Sequence, residues 1–219
     1  MEKEETNKSN NDNSINSSSP QVPPPNMHAQ IMADLTKELK EIRNKSGQNS
    51  TSISDKAIGL FTLIKLFSTM KILKEDFKPV MITDGLFIGS IGAASNYEAM
   101  KEAGITHVVC AANGIKEYYK DNFKYLSLDI LDSEKEQISK FFDKAADFIN
   151  EAIINGGKVL VHCHAGISRS SSICMSYLMK YRKLKFIDAL NLMQSKRKQV
   201  NPNNGFRNQL REYEKQLGL

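Results

Sequence analysis

The chain has 219 residues, 40% hydrophobic and 25% charged, which supplies one core of ordinary size and leaves too little for two full domains. Its net charge of +5 hides an uneven split: residues 1–55 carry 6 basic and 8 acidic groups, and residues 56–219 carry 24 and 17. The positive field therefore belongs to the second segment, and three widely spaced cysteines, Cys110, Cys163 and Cys174, exclude a disulfide scaffold or a paired Cys-x-x-Cys zinc site and suit a reducing compartment.

Residues 1–55 read as a disordered Asn/Ser/Pro-rich tail, because almost no apolar side chain is present before residue 27 to offset the entropy of ordering. Within it, Ile31, Leu35, Leu39 and Ile42 recur at the spacing of one helical face, predicting a short helix near 31–43. A polar linker follows at 46–54. Residues 56–78 form a basic amphipathic helical segment, with Ile58, Phe61, Ile64, Leu66, Phe67, Met70 and Leu73 apolar and Lys65, Lys71 and Lys74 basic. The first expectation is a helix packed on the domain that follows. A groove-binding ligand for a calmodulin-like partner is the second and attachment to a membrane surface the third. No signal core is visible, and the apolar stretch at 57–73 is interrupted by lysines and shorter than the ~20 residues of a bilayer span. The expectation is a soluble protein of the cytoplasm, with the nucleus also open to it.

From residue 79 onward the pattern changes to short apolar strands, at 86–88, 107–111, 125–130 and 159–162, alternating with helices at 94–103, 138–154, 170–181, 186–193 and 206–217. That alternation predicts an α/β domain over 79–219, with a mostly parallel central sheet and helices on both faces. Its informative stretch is Lys158-Val-Leu-Val-His-Cys-His-Ala-Gly-Ile-Ser-Arg-Ser-Ser171. A buried strand ends at His162-Cys163, a loop follows, and a helix begins near Arg169. In a parallel sheet such a connection lies at the carboxyl edge, where loop N–H groups and a helix N-terminus converge on an anion.

The side chains specify the anion. Cys163 sits in that field, which favours the thiolate and should bring its pKa into the range of about 3.5 to 7.5 known for cysteines at helix N-termini. Arg169, six positions on, can return a planar fork to two oxygens of a phosphate held over the backbone of His164, Ala165, Gly166, Ile167 and Ser168. Ser170 can hydrogen-bond the sulfur and help it leave in a hydrolytic second step, and His162 holds the loop. Transfer of a phosphoryl group to Cys163 needs an acid for the leaving oxygen. Asp132, just beyond the 125–130 strand, is favoured for it; Asp129, inside that strand, is the rival. Cys110 and Cys174 read as core residues. A metal at His162-Cys163-His164 is not expected, since neighbouring strand residues point to opposite faces and no further ligand cluster accompanies them.

These residues resemble the cysteine-dependent protein tyrosine phosphatases, whose His-Cys-x-x-Gly-x-x-Arg signature is met by His162, Cys163, Gly166 and Arg169. Leu86-Phe-Ile-Gly-Ser90, Gly104-Ile-Thr-His-Val108, Tyr177-Leu-Met179 and Asn201-Pro-Asn-Asn-Gly-Phe206 narrow the resemblance to the dual-specificity phosphatases, over residues 80–217. The resemblance implies Cys163 as nucleophile through a phosphocysteine, Arg169 as phosphate ligand, Asp132 as acid and then base, Ser170 assisting hydrolysis, and neither metal nor cofactor. It also implies phosphotyrosine and phosphoserine or phosphothreonine of a protein as substrate. Ala165-Gly-Ile-Ser-Arg-Ser170 is similar to the MAP kinase phosphatase group, making a MAP kinase a plausible partner, although residues 1–79 contain no docking domain of the kind the larger members carry. Ile82-Thr-Asp-Gly85 and Ala93-Ala-Ser-Asn96 look more like small plant-type members, some of which bind calmodulin through an N-terminal basic helix. Two alternatives remain: a phosphate-binding adaptor without turnover, and a phosphatase of a non-protein substrate. Arg182, Lys183, Lys185, Lys196, Arg197 and Lys198 read as a solvated basic face attracting acidic phosphopeptides; nothing besides charge supports nucleic-acid binding.

Overall fold

A computed structural model of the chain describes residues 27–46 and 53–219. The expected tail through residue 26 and most of the expected linker lie outside the described residues. The helix expected near 31–43 lies within α1 (Met27–Ser46), and α2 (Ile53–Glu75) covers residues 56–75 of the basic segment expected at 56–78.

Five strands, β1 (Val80–Thr83), β2 (Leu86–Gly89), β3 (His107–Ala111), β4 (Lys124–Leu128) and β5 (Val159–His162), form one sheet in the order β1-β2-β5-β3-β4. β2, β5, β3 and β4 run parallel, so all four carboxyl ends share one edge of the sheet. β1 is antiparallel to β2, and it is the strand the sequence reading does not anticipate. Its signal is the Asp84-Gly85 turn, with Gly85 at φ 79°, a hairpin dipeptide made inconspicuous by Pro79 and by strands only four residues long.

The alternation of strand side chains divides the core. Leu86, Ile88, Val109, Ala111, Val159 and Val161 face α5 (Phe142–Ile154), α6 (Arg169–Arg182), α7 (Phe186–Lys196) and α8 (Asn204–Gln216). Phe87, Val108 and Leu160 face the other way, onto Met100 of α4 (Tyr97–Glu102) and onto Tyr119 and Phe123. Period-2 burial of this kind fixes register, because a one-residue slip would exchange the two faces. Two expected helices differ in detail. The one at 94–103 is split into α3 (Ile91–Ala94) and α4, since the Asn96 side chain accepts from the Ala99 N–H at 3.2 Å and starts a new helix. The one at 138–154 opens with a 3₁₀ turn at Ile138–Phe141 before α5.

α2 follows the first expectation for it, at its C-terminal half. Leu66, Thr69 and Leu73 are buried, whereas Leu60, Ile64 and Phe67 are exposed. The helix ends against α3, where a Cβ on Gly92 would lie 2.5 Å from the Asp76 carbonyl oxygen. Only glycine permits that approach. Among the described residues, no helix is long and apolar enough to cross a membrane.

Candidate active site

β5 ends at His162, and residues 163–168 form a loop into α6. The loop is held from outside by its carbonyl oxygens. His164 O accepts from the Ile91 N–H at 3.0 Å and Ile167 O from the Asn201 N–H at 2.9 Å. Ala165 O and Gly166 O accept from Arg197 Nη2 and Nε at 3.1 and 3.0 Å. In a planar trans peptide the N–H after each carbonyl points the opposite way. The N–H groups of Ala165, Gly166, Ile167 and Ser168 are thereby directed to the inner side, and the Gly166 N–H meets Cys163 Sγ there at 3.2 Å. Gly166 is at φ +67°, and a Cβ on it would strike the Gly89 carbonyl oxygen at 2.7 Å and Arg197 Nη2 at 2.6 Å.

Cys163 is 1% exposed. Its sulfur touches two hydrogen-bonding groups, the Gly166 N–H and Ser170 Oγ, the latter at 3.3 Å. Arg169 donates from Nη1 to Ile130 O at 3.2 Å and places Nε 3.5 Å from Asp132 Oδ2; that buried Nε has no hydrogen-bond partner among the described residues. A buried guanidinium donor held ready beside an inward row of N–H groups and a thiol is an arrangement for binding a multi-oxygen anion over a nucleophile.

Asp132 joins this loop and Asp129 does not. Asp132 Oδ1 accepts from Ser168 Oγ at 2.9 Å and from Asn203 Nδ2 at 3.1 Å. Asp129, exposed, is hydrogen-bonded to Asn113 instead. The Asp132 loop rests on the start of α8: Asn203 caps that helix through the Phe206 N–H at 2.9 Å, and a Cβ on Gly205 would lie 1.9 Å from the Glu134 carbonyl oxygen. Ser168, anticipated as a backbone contact, is also a bridge, accepting from the Asn203 N–H at 3.2 Å while donating to Asp132.

The two histidines of the motif separate. His162 is buried, its ring Nδ1 lies 3.4 Å from Cys163 O, and burial pushes its pKa down to about 4, so it is neutral and holds the loop. His164 Nε2 instead meets Thr69 Oγ1 of α2 at 3.0 Å. Burial raises the Cys110 thiol to about 11 and raises Cys174 further. Cys110 packs against Cys163, and Cys174 lies in the main core.

One sequence expectation is corrected. Arg197 does not belong to a solvated basic face: it is 6% exposed and forms a bidentate ion pair with Asp76, its Nη1 donating to Oδ1 at 2.8 Å and its Nη2 to Oδ2. The signal is helical phase, since Leu190, Met193 and Arg197 fall on one face of α7 and its end, and the first two are buried. Asp76, Thr69 and Asn203 are further site neighbours the sequence reading passes over. Asp76 and Arg197 each sit in a run of charges that resembles ordinary surface.

A cavity of about 750 Å³ opens at the opposite, amino end of β3 and β5, lined by Thr106, His107, Lys124, Phe148, Glu151 and Gly157 among others, and by none of the residues just described.

Comparison with known proteins finds relatives by sequence and by fold. The pattern of the dual specificity phosphatase catalytic domain matches residues 86–216. Dual specificity protein phosphatase 1 of Arabidopsis thaliana is 37% identical over 155 residues, which are 71% of this chain and 78% of that protein. MAP kinase phosphatase with leucine-rich repeats protein 3 of Dictyostelium discoideum is 43% identical over 140 residues, 64% of this chain but only 16% of that much longer protein. Among solved structures, the human tyrosine phosphatase-like serine/threonine/tyrosine-interacting protein superposes with a TM-score of 0.63 at 38% identity, covering 65% of this chain and 99% of that one.

Proposed function

The chain belongs to the dual specificity phosphatase family of the protein tyrosine phosphatase superfamily, and on that premise we propose that it hydrolyses phosphotyrosine and phosphoserine or phosphothreonine on proteins through a phosphocysteine. One observation carries this reading: a thiol, an inward row of N–H groups, a half-buried guanidinium whose buried Nε is a donor to spare, and a carboxyl group meet at one loop.

In this reading the phosphate lies on the inner N–H groups of residues 165–168 and on Arg169, and the Cys163 thiolate attacks phosphorus from below. Asp132 gives its proton to the departing oxygen as the P–O bond breaks. The ion pair with Arg169 is first loosened as the guanidinium turns to the phosphate, and the freed carboxylate takes from solvent the proton that it passes to the leaving oxygen. Water, deprotonated by Asp132, then attacks the phosphocysteine, and Ser170 Oγ, 3.3 Å from the sulfur, stabilises the thiolate as it leaves. The test is hydrolysis of an aryl phosphate at mildly acid pH with chelator present. Turnover by the wild type that disappears in Cys163→Ser supports the reading; a wild type without turnover overturns it.

The names of relatives support two narrower statements. A MAP kinase is proposed as substrate because a 43% identical relative is named a MAP kinase phosphatase. The adaptor reading draws on the relative named tyrosine phosphatase-like and interacting; the presence of Cys163, Arg169 and Asp132 together favours turnover over it. Trapping from a lysate with Cys163→Ser, followed by identification of the retained phosphoprotein, separates kinase from other substrates. Calmodulin binding by 56–78 would draw on the exposed Leu60, Ile64 and Phe67, and a titration of the full chain with calcium-loaded calmodulin that shows no saturable complex removes it.

A further inference from the structure

We propose that Asp76 and Arg197 are positioning residues for the phosphate loop, so that the end of the N-terminal helix α2, outside the matched family pattern, sets the anion affinity of the site. This rests on the reading of that loop as the phosphate site.

Arg197 Nε and Nη2 hold the carbonyl oxygens of Gly166 and Ala165. Each of those carbonyls shares a rigid peptide plane with the next N–H, belonging to Ile167 and Gly166 respectively. Fixing two carbonyls outward therefore fixes two N–H groups inward, and one of them is the donor that already meets Cys163 Sγ. Arg197 can serve both carbonyls only if its fork is oriented, and the Asp76 carboxylate orients it bidentately from the other side. Asp76 itself is fixed at the end of α2: its N–H donates to Ile72 O at 2.9 Å and its carbonyl oxygen accepts from Ser90 Oγ at 2.8 Å. The carboxylate also matches the buried guanidinium in charge, which Arg197 needs at 6% exposure. A second link runs from the same helix, Thr69 Oγ1 to His164 Nε2. Arg197 touches the outer side of the loop only. It acts on the anion through the loop's amides, not by contact.

The experiment titrates orthovanadate and inorganic phosphate into the full chain and measures aryl phosphate kinetics alongside. The variants are Asp76→Asn, the double variant Asp76→Leu/Arg197→Met and the surface control Lys78→Ala. The double variant removes both charges at once, leaving no buried ion unpaired, and so keeps the test open if Asp76→Asn unfolds. The proposal expects oxyanion affinity to fall about tenfold in the folded variants, with KM for several aryl phosphates rising by a similar factor and kcat changing by less than about threefold. Lys78→Ala should match the wild type. A merely structural ion pair would lower the melting temperature and the active fraction while leaving KM and vanadate affinity of the folded protein unchanged; a folded double variant within about twofold of wild type in vanadate affinity overturns the proposal. A wild type that binds vanadate without turning over substrate defeats the catalytic reading alone, and positioning is then decided on the binding ratios. A wild type that binds no oxyanion defeats both.

Discussion

The two ends of the same parallel strands are built to opposite plans. At the amino end of β3 and β5 there is volume, a cavity of about 750 Å³ with mixed polar and apolar walls. At the carboxyl end, Cys163 is 1% exposed and its sulfur is closely bracketed by the Gly166 N–H and Ser170 Oγ. The residues proposed to carry the chemistry lie at the crowded end. A phosphoryl group is small and heavily charged, so oriented donors matter to its site more than space does, and a crossover loop leading into a helix supplies them at the carboxyl edge alone.

The contrast can be broken most sharply at the nucleophile. Cys163→Ser should lower aryl phosphate turnover by at least about 10⁴-fold, measured by steady-state release of the phenol, whereas Lys124→Ala or Glu151→Gln in the amino-end cavity should leave kcat within about twofold. A comparable loss from the cavity variants would move the chemistry to the wrong end. Next in size, Asp132→Asn should slow turnover by about 10²- to 10⁴-fold for alkyl-like leaving groups and much less for activated phenols. Uniform loss across a leaving-group series would assign the acid role elsewhere, with Asp129→Asn as the matching control.

The two histidines sharpen the comparison through pH. Burial lowers His162 at the carboxyl end to about 4; His107 at the amino end is lowered too, by burial first and then by Lys124. For His162 the folded protein binds its proton less readily than the unfolded chain, whose histidine titrates near 6.5. Its contribution is therefore complete above about pH 6.5 and disappears as pH falls to about 4, by about 3 kcal/mol in all. Denaturant unfolding should show that slope, reduced in His162→Gln; an unchanged slope would mean that His162 is not the buried neutral group. The smallest effect concerns oxidation. Peroxide should inactivate reversibly, with a sulfenate trapped at Cys163, while the Cys110 and Cys174 thiols, whose pKa burial raises, stay unlabelled at short times. Labelling of Cys174 ahead of Cys163 would contradict the assignment of the activated thiol.

Much of this was legible in the residues themselves. β3 and β5 follow from unbroken apolar runs, and Cys163 with Arg169 from their spacing across a strand-loop-helix junction. What escaped was whatever depends on partners distant in sequence. β1 is too short to show a period, and it is paired only because β2 follows a tight turn. Asp76 and Arg197 are 121 positions apart, and each is embedded among exposed charges, so local patterning reports a surface where the fold makes a buried pair. Asn203 caps α8, and its second bond, to Asp132, arises only when α8 is folded against the loop after β4.

The bare α-carbon of Gly205 has a consequence for how the acid can vary. With the Glu134 carbonyl oxygen where any Cβ would need to be, the Asp132 loop lies flush on the first turn of α8 with no shim between them. A lone methyl at position 205 must lift one surface off the other, stretching the Asn203 and Ser168 tethers on the carboxyl group. Gly205→Ala thus works as a wedge driven from the far side of the loop: it alters no group of the proposed site, yet it resets the height of the carboxyl group proposed to deliver the proton.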